Sequence, residues 1–205
     1  MTDIAAPRSA KGVRTRARLL EAAREVFERL GFLDARVSDV VEAAGLSHGS
    51  FYHYFDSKEQ VFREVAETLE AELTAPADGE GGDDQAGDPT DSEYGRILAA
   101  NRVYLERYRA NARIMGVIEE VSRYDDHVNQ ARMRRQKHFA DRAERAIRRL
   151  QAAGDADPAV DPAIAALALG SMVARTAELW LVEGWADYDL DVVTEQVTQI
   201  GRAHV

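Results

Sequence analysis

Residues 47–55 carry the side chains that could bind a phosphate backbone and reach base edges. They read Ser-His-Gly-Ser-Phe-Tyr-His-Tyr-Phe, a run whose spacing does not bury all four aromatic rings on one helix face. Small or polar groups at its start let a helix N-terminus approach bases closely, and the free amides there favour phosphate. These residues are Ser47, His48, Gly49 and Ser50. The hydroxyls of Tyr52 and Tyr54 can donate to phosphate oxygens, so the predicted chemistry is nucleic-acid binding.

The surrounding elements predict a helix-turn-helix. Residues 37–44 form a short helix, residues 45–47 a tight turn containing glycine, and residues 47–55 a second short helix. The second helix of such a unit can enter the major groove of DNA. Packing between helices is the alternative interpretation of Tyr52 and Tyr54.

Apolar residues recur at helical spacing along the chain, and no alternating strand pattern is present, so the predicted fold is all-α. The first helix is predicted to begin at Thr15 as its N-cap and to close at Gly31. Ser57 caps a helix that runs to about Leu73. Five further helices are predicted at residues 93–109, 112–122, 125–153, 162–184 and 189–203.

Composition divides the chain into three parts. Residues 1–12 are predicted to be a flexible basic arm, with a disordered, solvated tail as the alternative. Residues 13–60 form the helix-turn-helix domain, and residues 61–205 form a second, larger domain. Within it, residues 75–91 hold glycine, proline and aspartate with almost nothing apolar, which predicts an acidic flexible linker or loop. A regulatory acidic patch is the alternative for that segment.

The net charge of −10 is concentrated away from the predicted DNA-binding segment. Residues 61–95 carry 11 acidic groups and one basic group, whereas residues 1–60 and 96–205 are each neutral overall. Five cations near the start have no acid among them: Arg8, Lys11, Arg14, Arg16 and Arg18. Because salt screens charges over about 8–10 Å, local charge governs phosphate contact, and overall acidity does not exclude DNA.

Several classes of protein are disfavoured by missing motifs. The chain has no cysteine, no Gly-Lys dipeptide of a Walker loop, no His-Glu-x-x-His and no Gly-x-Ser-x-Gly, so no catalytic residue, cofactor or metal site is predicted. The N-terminus lacks the apolar core of a signal peptide. The longest nearly apolar stretch, residues 163–174, is shorter than the roughly 20 residues of a membrane span. A cytoplasmic protein that is not an enzyme is expected.

The N-terminal residues resemble the DNA-binding domain of TetR-family repressors. The similarity runs over residues 13–63 and includes TRARLLEAA at residues 15–23, the glycine-phenylalanine pair at residues 31–32, AGLS at residues 44–47 and GSFYHYFDSKE at residues 49–59. The resemblance implies a homodimer that binds a palindromic double-stranded DNA operator. It also implies a C-terminal helical domain for ligand binding and dimerisation, in which a small molecule releases the repressor from DNA.

The resemblance also assigns roles to individual residues. Those implied to face bases or nearby phosphates are Ser38, His48, Ser50 and His53. Those implied to contact the backbone of DNA are Ser47, Tyr52, Tyr54 and Lys58. Phe51 and Phe55 are implied to be core residues.

Arg36 departs from the family's pattern, which usually has serine or threonine at this helix cap. An arginine cannot accept the free amides, which costs about 1 kcal/mol of local helix stability. The two interpretations left open are an exposed arginine with lost capping and a gained phosphate contact.

The helix predicted at residues 162–184 is apolar on nearly every side, so it must be covered on every side. One alternative is a central position within a single chain. The resemblance implies instead that the last two helices pair with those of a second copy as a four-helix bundle, giving a two-fold symmetric dimer.

Candidate ligand contacts are aromatic, methionine and polar residues of the second domain: Tyr104, Tyr108, Met115, Ile118, Phe139, Met172, Arg175 and Trp180. Plain core packing is the alternative for each. Arg175 needs a partner in this apolar helix, either Glu178 one turn away, an acid across the dimer, or a ligand carboxylate, carbonyl or thioester. The last choice predicts a hydrophobic effector such as a fatty acid or acyl-CoA. The cations of residues 132–149 are predicted to form a solvated face balanced by Asp141 and Glu144, and the alternatives are a second nucleic-acid site and attraction of coenzyme A phosphates. A DNA-binding repressor without a ligand is the rival function, and activation instead of repression is also open.

Overall fold

A computed structural model of the chain describes residues 9–75 and 93–203, and over these residues it contains helices and turns but no strand. The predicted all-α fold is confirmed. In chain order the α-helices are α1 (Ala10–Asp34), α2 (Val37–Ala43), α3 (His48–Tyr52), α4 (Lys58–Thr74), α5 (Glu93–Ala110), α6 (Ala112–Val121), α7 (Asp126–Ala153), α8 (Pro162–Ala177) and α9 (Leu190–Ala203). A π-helix, Glu178–Val182, continues α8.

The chain divides into two compact units. Unit 1 comprises Met1–Glu70 and Arg113–Ala131, and unit 2 comprises Ala71–Ala112 and Arg132–Val205. The chain therefore passes between the units three times, within α4, at the start of α6 and within α7. This division differs from the boundary predicted after residue 60, because most of α4 and nearly all of α6 group with the helix-turn-helix.

Apolar residues of α1 and α4 form the core around which α2 and α3 fold. Leu19, Ala23 and Phe27 are fully buried at intervals of four residues along one face of α1. The ring of Phe27 meets that of Phe62 edge to face, with centroids 5.0 Å apart, and Phe32 lies 4.9 Å from Phe62. Edge-to-face rings add about 0.5–1.5 kcal/mol to the free energy of burial, so this cluster joins the two helices firmly.

The start of α1 differs from the prediction. Ser9, not Thr15, is the N-cap, and its Oγ accepts from the Gly12 amide at 3.1 Å. Thr15 lies inside the helix, where its hydroxyl donates to the Lys11 carbonyl at 3.0 Å. Because Ser9 caps as well as threonine and no proline follows it, the helix extends over residues predicted to be a flexible arm. Residues 1–8 of that arm and residues 76–91 of the predicted acidic linker lie outside the described residues.

The end of α1 follows the prediction at Gly31. This residue has φ of 73° and interrupts the helical backbone before a last turn that reaches Asp34. Glycine adopts the left-handed region without the steric cost that a Cβ brings.

Asp125 joins the second turn of α4 to the first turn of α7. Its carboxylate receives two hydrogen bonds from Arg63 Nε and Nη2, the shorter at 2.8 Å, and also accepts from the amides of His127 and Val128. Burial alone raises the pKa of Asp125, but the Arg63 guanidinium and the α7 amides outweigh it and hold the pKa below its usual value. Beside it, His127 Nε2 lies 2.9 Å from Glu67 of α4.

Unit 2 contains a polar seam where α5 packs against α9. The Asn101 amide donates to the Thr198 hydroxyl at 2.9 Å, and the Thr198 hydroxyl donates to the Thr194 carbonyl at 2.7 Å. Arg102 pairs with Asp191 at 2.6 Å at the exposed edge. The buried hydroxyls of α9 therefore have partners on their own backbone or on α5, which removes the cost of burying them.

The helix that begins at Pro162 has two parts. Asp161 caps α8 by accepting from the amides of Ala163 and Ile164 at 2.9 and 3.0 Å. The α-helix ends at Ala177 and a π-helix continues it to Val182, so the helix predicted at residues 162–184 is present but changes its hydrogen-bond pattern near its end. By length and composition Pro162–Val182, 21 residues with a mean hydropathy of 1.3, could cross a membrane. One such helix is weak evidence for a membrane, because apolar helices of soluble proteins meet the same test.

Replacing Asp125 by asparagine is expected to lower the free energy of unfolding by about 1 kcal/mol, the scale of a partly exposed ion pair. Asparagine can still accept the α7 amides, so the ion pair with Arg63 is the interaction lost. A folded pKa below the unfolded value of about 3.9 means that the stabilisation is complete above that pH. It is lost as the pH falls through the folded pKa, and urea unfolding of both proteins from pH 7 downward measures the difference.

The control for this prediction is Arg63→Gln, alone and combined with Asp125→Asn. At pH 7 the double variant should be about as stable as either single variant, because both remove the same interaction. Additive losses, or a difference that persists unchanged where Asp125 is protonated, would contradict the assignment.

Candidate nucleic-acid interface

The turn between α2 and α3 has the geometry of a helix-turn-helix. The Leu46 amide donates to the Val41 carbonyl at 2.8 Å, and Gly45 has φ of 58°. Ser47 then caps α3, its Oγ accepting from the Ser50 amide at 3.3 Å and lying 3.1 Å from the Ser50 hydroxyl. The turn and cap therefore define where α3 begins.

α3 has one buried side and one exposed side. Phe51 and Phe55 are fully buried, as predicted, and their ring centroids are 5.6 Å apart. The exposed side carries four of the residues predicted to contact DNA: Ser47, His48, Gly49 and His53. Tyr52 is also exposed, with 54% of its surface accessible. These side chains are thus gathered on one surface that the core supports from behind.

Ser50 and Tyr54 are half-buried at the edge of this surface. The Tyr54 ring packs edge to face against His53 with centroids 4.9 Å apart, and Tyr52 packs in the same way on Phe51 at 5.4 Å. Tyrosines in these positions have an apolar ring held in place and a hydroxyl at its end. The sequence left two interpretations of Tyr52 and Tyr54 open, contact with DNA and packing between helices. The two are compatible in this structure, because the ring can pack while the hydroxyl contacts DNA.

Lys58 has a structural role at the first position of α4. Its ammonium donates to the carbonyls of Phe32, Leu33 and Ala35 at 2.7, 3.3 and 2.9 Å. It also lies 4.4 Å from the centre of the Phe32 ring. An ammonium has three donors, and here they meet the carbonyls where α1 ends. The Lys58 ammonium is bound to these carbonyls in the structure. The phosphate contact implied for Lys58 stays a prediction.

Arg36 and Ser38 lie at the exposed N-terminus of α2. The Arg36 side chain accepts no amide, but its backbone N–H donates to Asp39 Oδ2 at 2.8 Å. Asp39 therefore supplies one half of a capping box, which offsets part of the cost expected from an arginine cap. Phosphate contact by either residue stays a prediction.

Arg18 is absent from the residues that the sequence predicted for this interface, yet it reaches the turn from α1. A Cβ on Gly45 would lie 2.7 Å from Arg18 Nη2, so the guanidinium lies directly against this glycine. The spacing of Lys11, Arg14 and Arg18 could have indicated this role in the sequence. The three residues share one helix face only if α1 begins before Lys11.

Two of the eight predicted ligand contacts belong to unit 1 and six to unit 2. Met115 and Ile118 are fully buried in α6, which lies in unit 1. Tyr104, Tyr108 and Phe139 form an aromatic cluster in unit 2, with Tyr104 ring centroids 5.8 Å from Tyr108 and 5.0 Å from Phe139. They are contributed by α5 and α7.

The remaining three candidates lie in α8 and the π-helix. Met172 is half-buried and Trp180 is buried. Arg175 is not buried as the sequence suggested, since 56% of its side chain is exposed, and its Nη1 lies 2.5 Å from Glu178 Oε1. The predicted partner within the helix is therefore present, three residues along the chain, where helical side chains are neighbours.

An open hollow of about 450 Å³ lies on unit 2, lined by Tyr94, Glu195, Gln199 and Arg202. None of the eight predicted ligand contacts lines it. Among residues 9–75 and 93–203, no group of three or more side chains is arranged to hold a metal ion.

The helix-turn-helix matches known regulators in sequence. Residues 19–65 match the family model described as bacterial regulatory proteins, tetR family. The HTH-type transcriptional regulator YdgC of Bacillus subtilis (strain 168) is 53% identical over 55 residues, which are 27% of this chain and 28% of YdgC. The chain therefore matches about a quarter of the length of this curated relative.

Solved structures share the fold over nearly the whole chain. The fatty acid degradation regulator FadR from Bacillus halodurans has a TM-score of 0.69 at 16% identity, covering 96% of this chain and 97% of that one. The regulator FadR from Bacillus subtilis in complex with stearoyl-CoA has a TM-score of 0.67 at 14% identity, covering 92% and 98%. At such identities the likeness concerns the fold alone.

The sequence match covers most of α1, the helix-turn-helix and the first half of α4. These are the elements that pack behind α3 and leave its other side exposed. Over residues 19–65 the chain is therefore similar to the tetR family of bacterial regulatory proteins, and its curated relatives over this segment are HTH-type transcriptional regulators.

Proposed function

We propose that this protein is a dimeric, sequence-specific transcriptional regulator that acts in the cytoplasm as a repressor on a palindromic operator. The observation that carries the proposal is the two-sided α3, with Phe51 and Phe55 buried and His48, Tyr52 and His53 exposed. A short helix fixed from behind by aromatic rings can present polar side chains to a major groove at constant geometry.

Within this proposal the exposed side chains have different tasks. His48, Ser50 and His53 of the second helix read base edges together with Ser38 of α2, because imidazole and hydroxyl groups can donate to and accept from bases. Ser47, Gly49, Tyr52, Tyr54 and the α3 amides position the phosphates. Phosphate contacts set affinity and register, whereas the base contacts set sequence preference.

Exposed apolar residues of the last two helices support dimerisation. In the single chain Ile164 and Leu167 of α8 are 69% and 63% exposed. Val192 and Ile200 of α9 are 53% and 44% exposed. Covering such surface contributes about 25 cal/mol per Å², and a second copy offers the same apolar surface in a two-fold arrangement. The dimer would present two α3 helices to successive major grooves about 34 Å apart.

A hydrophobic effector, a fatty acid or acyl-CoA, is proposed for unit 2. The aromatic cluster of Tyr104, Tyr108 and Phe139 offers an apolar environment for an acyl chain. Arg175, exposed beside Glu178, offers a cation for a carboxylate or thioester oxygen. The complex of one similar fold with stearoyl-CoA supports the choice of this ligand class.

A repressor without a ligand is the second candidate. Tyr108, Met115 and Ile118 are fully buried in this structure, and the open hollow of unit 2 is lined by other, mostly polar residues. Close packing around these side chains favours the second candidate, because an effector would have to displace them.

If an effector binds, the mechanism is a shift between two populations of the dimer, one of which spaces its α3 helices for successive grooves. Effector and DNA would then weaken each other's binding by the same factor. A ligand that binds both populations equally would have no effect on DNA affinity.

Purified protein is expected to enrich a palindromic sequence from a random DNA pool and to bind it with salt-sensitive affinity. His53→Ala should reduce discrimination between this sequence and a scrambled one by roughly 5- to 150-fold, the equivalent of about 1–3 kcal/mol for a base contact. Competition gel shifts measure it. The control is His138→Ala, the same change at an exposed histidine of α7. Unaltered discrimination would exclude His53 from base reading, and no DNA binding by the wild-type protein would refute the function.

Leu167→Glu is expected to convert the dimer into a monomer and to lower affinity for the palindrome, since a charge at the centre of an apolar interface is costly. Analytical ultracentrifugation measures the mass. Leu33→Glu is the matched control, because Leu33 of unit 1 is also a leucine with 70% of its surface exposed. A Leu167→Glu protein that remains dimeric would contradict the assignment of this face.

Stearoyl-CoA is expected to raise the melting temperature by several degrees at 100 times its Kd, where binding adds about 2.7 kcal/mol. Coenzyme A alone should raise it less. Arg175→Ala should abolish most of the shift, whereas Glu178→Gln, which breaks the same ion pair but keeps the arginine, should not. A full shift in Arg175→Ala would remove Arg175 as an anchor. The absence of a shift with every fatty acid and acyl-CoA tried would favour the repressor without a ligand.

A further inference from the structure

We propose that Lys11, Arg14 and Arg18 form a second DNA-contacting surface, the α1 stripe, which binds phosphates beside the bases that α3 reads. The proposal rests on the proposed function and adds residues that neither the helix-turn-helix nor the family match singles out. The partner is the phosphate backbone of the same duplex.

The first observation is that these cations lie on an ordered helix. α1 begins at Ala10, so Lys11, Arg14 and Arg18 occupy positions i, i+3 and i+7. At 100° per residue they fall within an arc of about 60°, and at 1.5 Å per residue they extend over about 10 Å. Along a duplex axis, one strand presents roughly three phosphates over such a length.

The second observation is that the stripe is not used inside the protein. All three side chains are exposed, and within the described part of the chain none of them forms an ion pair. An exposed cation without an acidic partner has no internal ion pair to give up before it binds a phosphate, and its charge contributes fully to the local positive potential.

Arg16, from the same basic run, shows the contrast. It pairs with Glu64 of α4, and its guanidinium lies 5.0 Å from the centre of the Phe55 ring. The run is therefore divided between an inward arginine that holds α1 against α4 and an outward stripe of three cations.

The third observation ties the stripe to the helix-turn-helix. Arg18 lies against Gly45, where a Cβ would come within 2.7 Å of its Nη2. Gly45 is two residues before Ser47, which caps α3. The last cation of the stripe therefore lies at the turn that leads into the reading helix, so one duplex can meet both surfaces.

The charge of this face also limits where DNA lies. The same helical positions continue to Glu21 and Glu25, which are exposed carboxylates one and two turns beyond Arg18. Phosphates are attracted by α1 from its N-terminus to Arg18 and by its N-terminal dipole, and they are repelled farther along by Glu21 and Glu25. The duplex is therefore expected to cross the N-terminal half of α1 only.

The test is the salt dependence of binding to the selected operator, measured by fluorescence anisotropy between 50 and 200 mM salt for wild type and variants. Because the dimer carries each cation twice, each of Lys11→Gln, Arg14→Gln and Arg18→Gln should reduce the steepness of log affinity against log salt by about 1.8, which is about 0.9 for each lost phosphate contact. The triple variant should lower it by about three times as much. Base preference should not change, because phosphate contacts carry no sequence information.

Lys137→Gln is the control, since it removes the same charge from an exposed lysine of α7 whose partner is Asp141. It should leave the slope unchanged. If the single variants and a folded triple variant show the same salt dependence as the wild-type protein, the α1 stripe is overturned and the function of the helix-turn-helix is not affected. No DNA binding by the wild-type protein would overturn the proposed function, and the stripe with it.

Discussion

The burial of Phe51 and Phe55 is the interaction on which the DNA-facing surface depends. α3 has only five residues, and a helix of that length has no independent stability in water. Each buried phenylalanine contributes about 1.5–3 kcal/mol, which is enough to hold one turn of helix against the α1–α4 core. The positions of the exposed polar residues of α3 are fixed by these two buried rings, because the polar side chains themselves make few contacts.

Charged residues of α4 then secure the elements around that core. Lys58 binds the carbonyls where α1 ends, Arg63 binds Asp125 at the start of α7, and Glu64 pairs with Arg16 of α1. Each charge has a partner on a different element, so α4 connects the start and the end of α1 with the α6–α7 corner. Such ties add modest stability individually but restrict how the helices of unit 1 can rotate.

The last two helices bury two threonines and expose large apolar residues, although most of the buried face of α9 is apolar, with Leu190, Val193 and Val197. The buried face of α9 carries Thr194 and Thr198, whose hydroxyls bond to the helix backbone, whereas α8 exposes Ile164 and Leu167. Satisfied hydroxyls cost little when buried, but large exposed apolar side chains gain free energy when another surface covers them. This distribution is the physical basis for the proposed dimer. The α1 stripe is the equivalent for charged residues. Its cations have no acidic partner within the described part of the chain, just as the exposed apolar side chains of α8 have no apolar cover.

The sequence alone determined the all-α class, the positions of most helices and the helix-turn-helix, because helical periodicity and turn chemistry are local properties. The burial of Phe51 and Phe55 was implied by the resemblance to a known family and not by the spacing of the aromatic residues. It did not determine where α1 begins, since Ser9 and Thr15 are equally good caps and only packing and helix continuation choose between them. The roles of Lys58, Arg16 and Arg18 were decided by tertiary structure. Each is a long cation in the same N-terminal domain, and only the folded chain shows which of them meets a carbonyl, a carboxylate or an open surface. The same holds for Arg175, which sequence placed in an apolar helix but which the fold leaves exposed beside Glu178, because a helical pattern says which residues share a face and not what lies opposite that face.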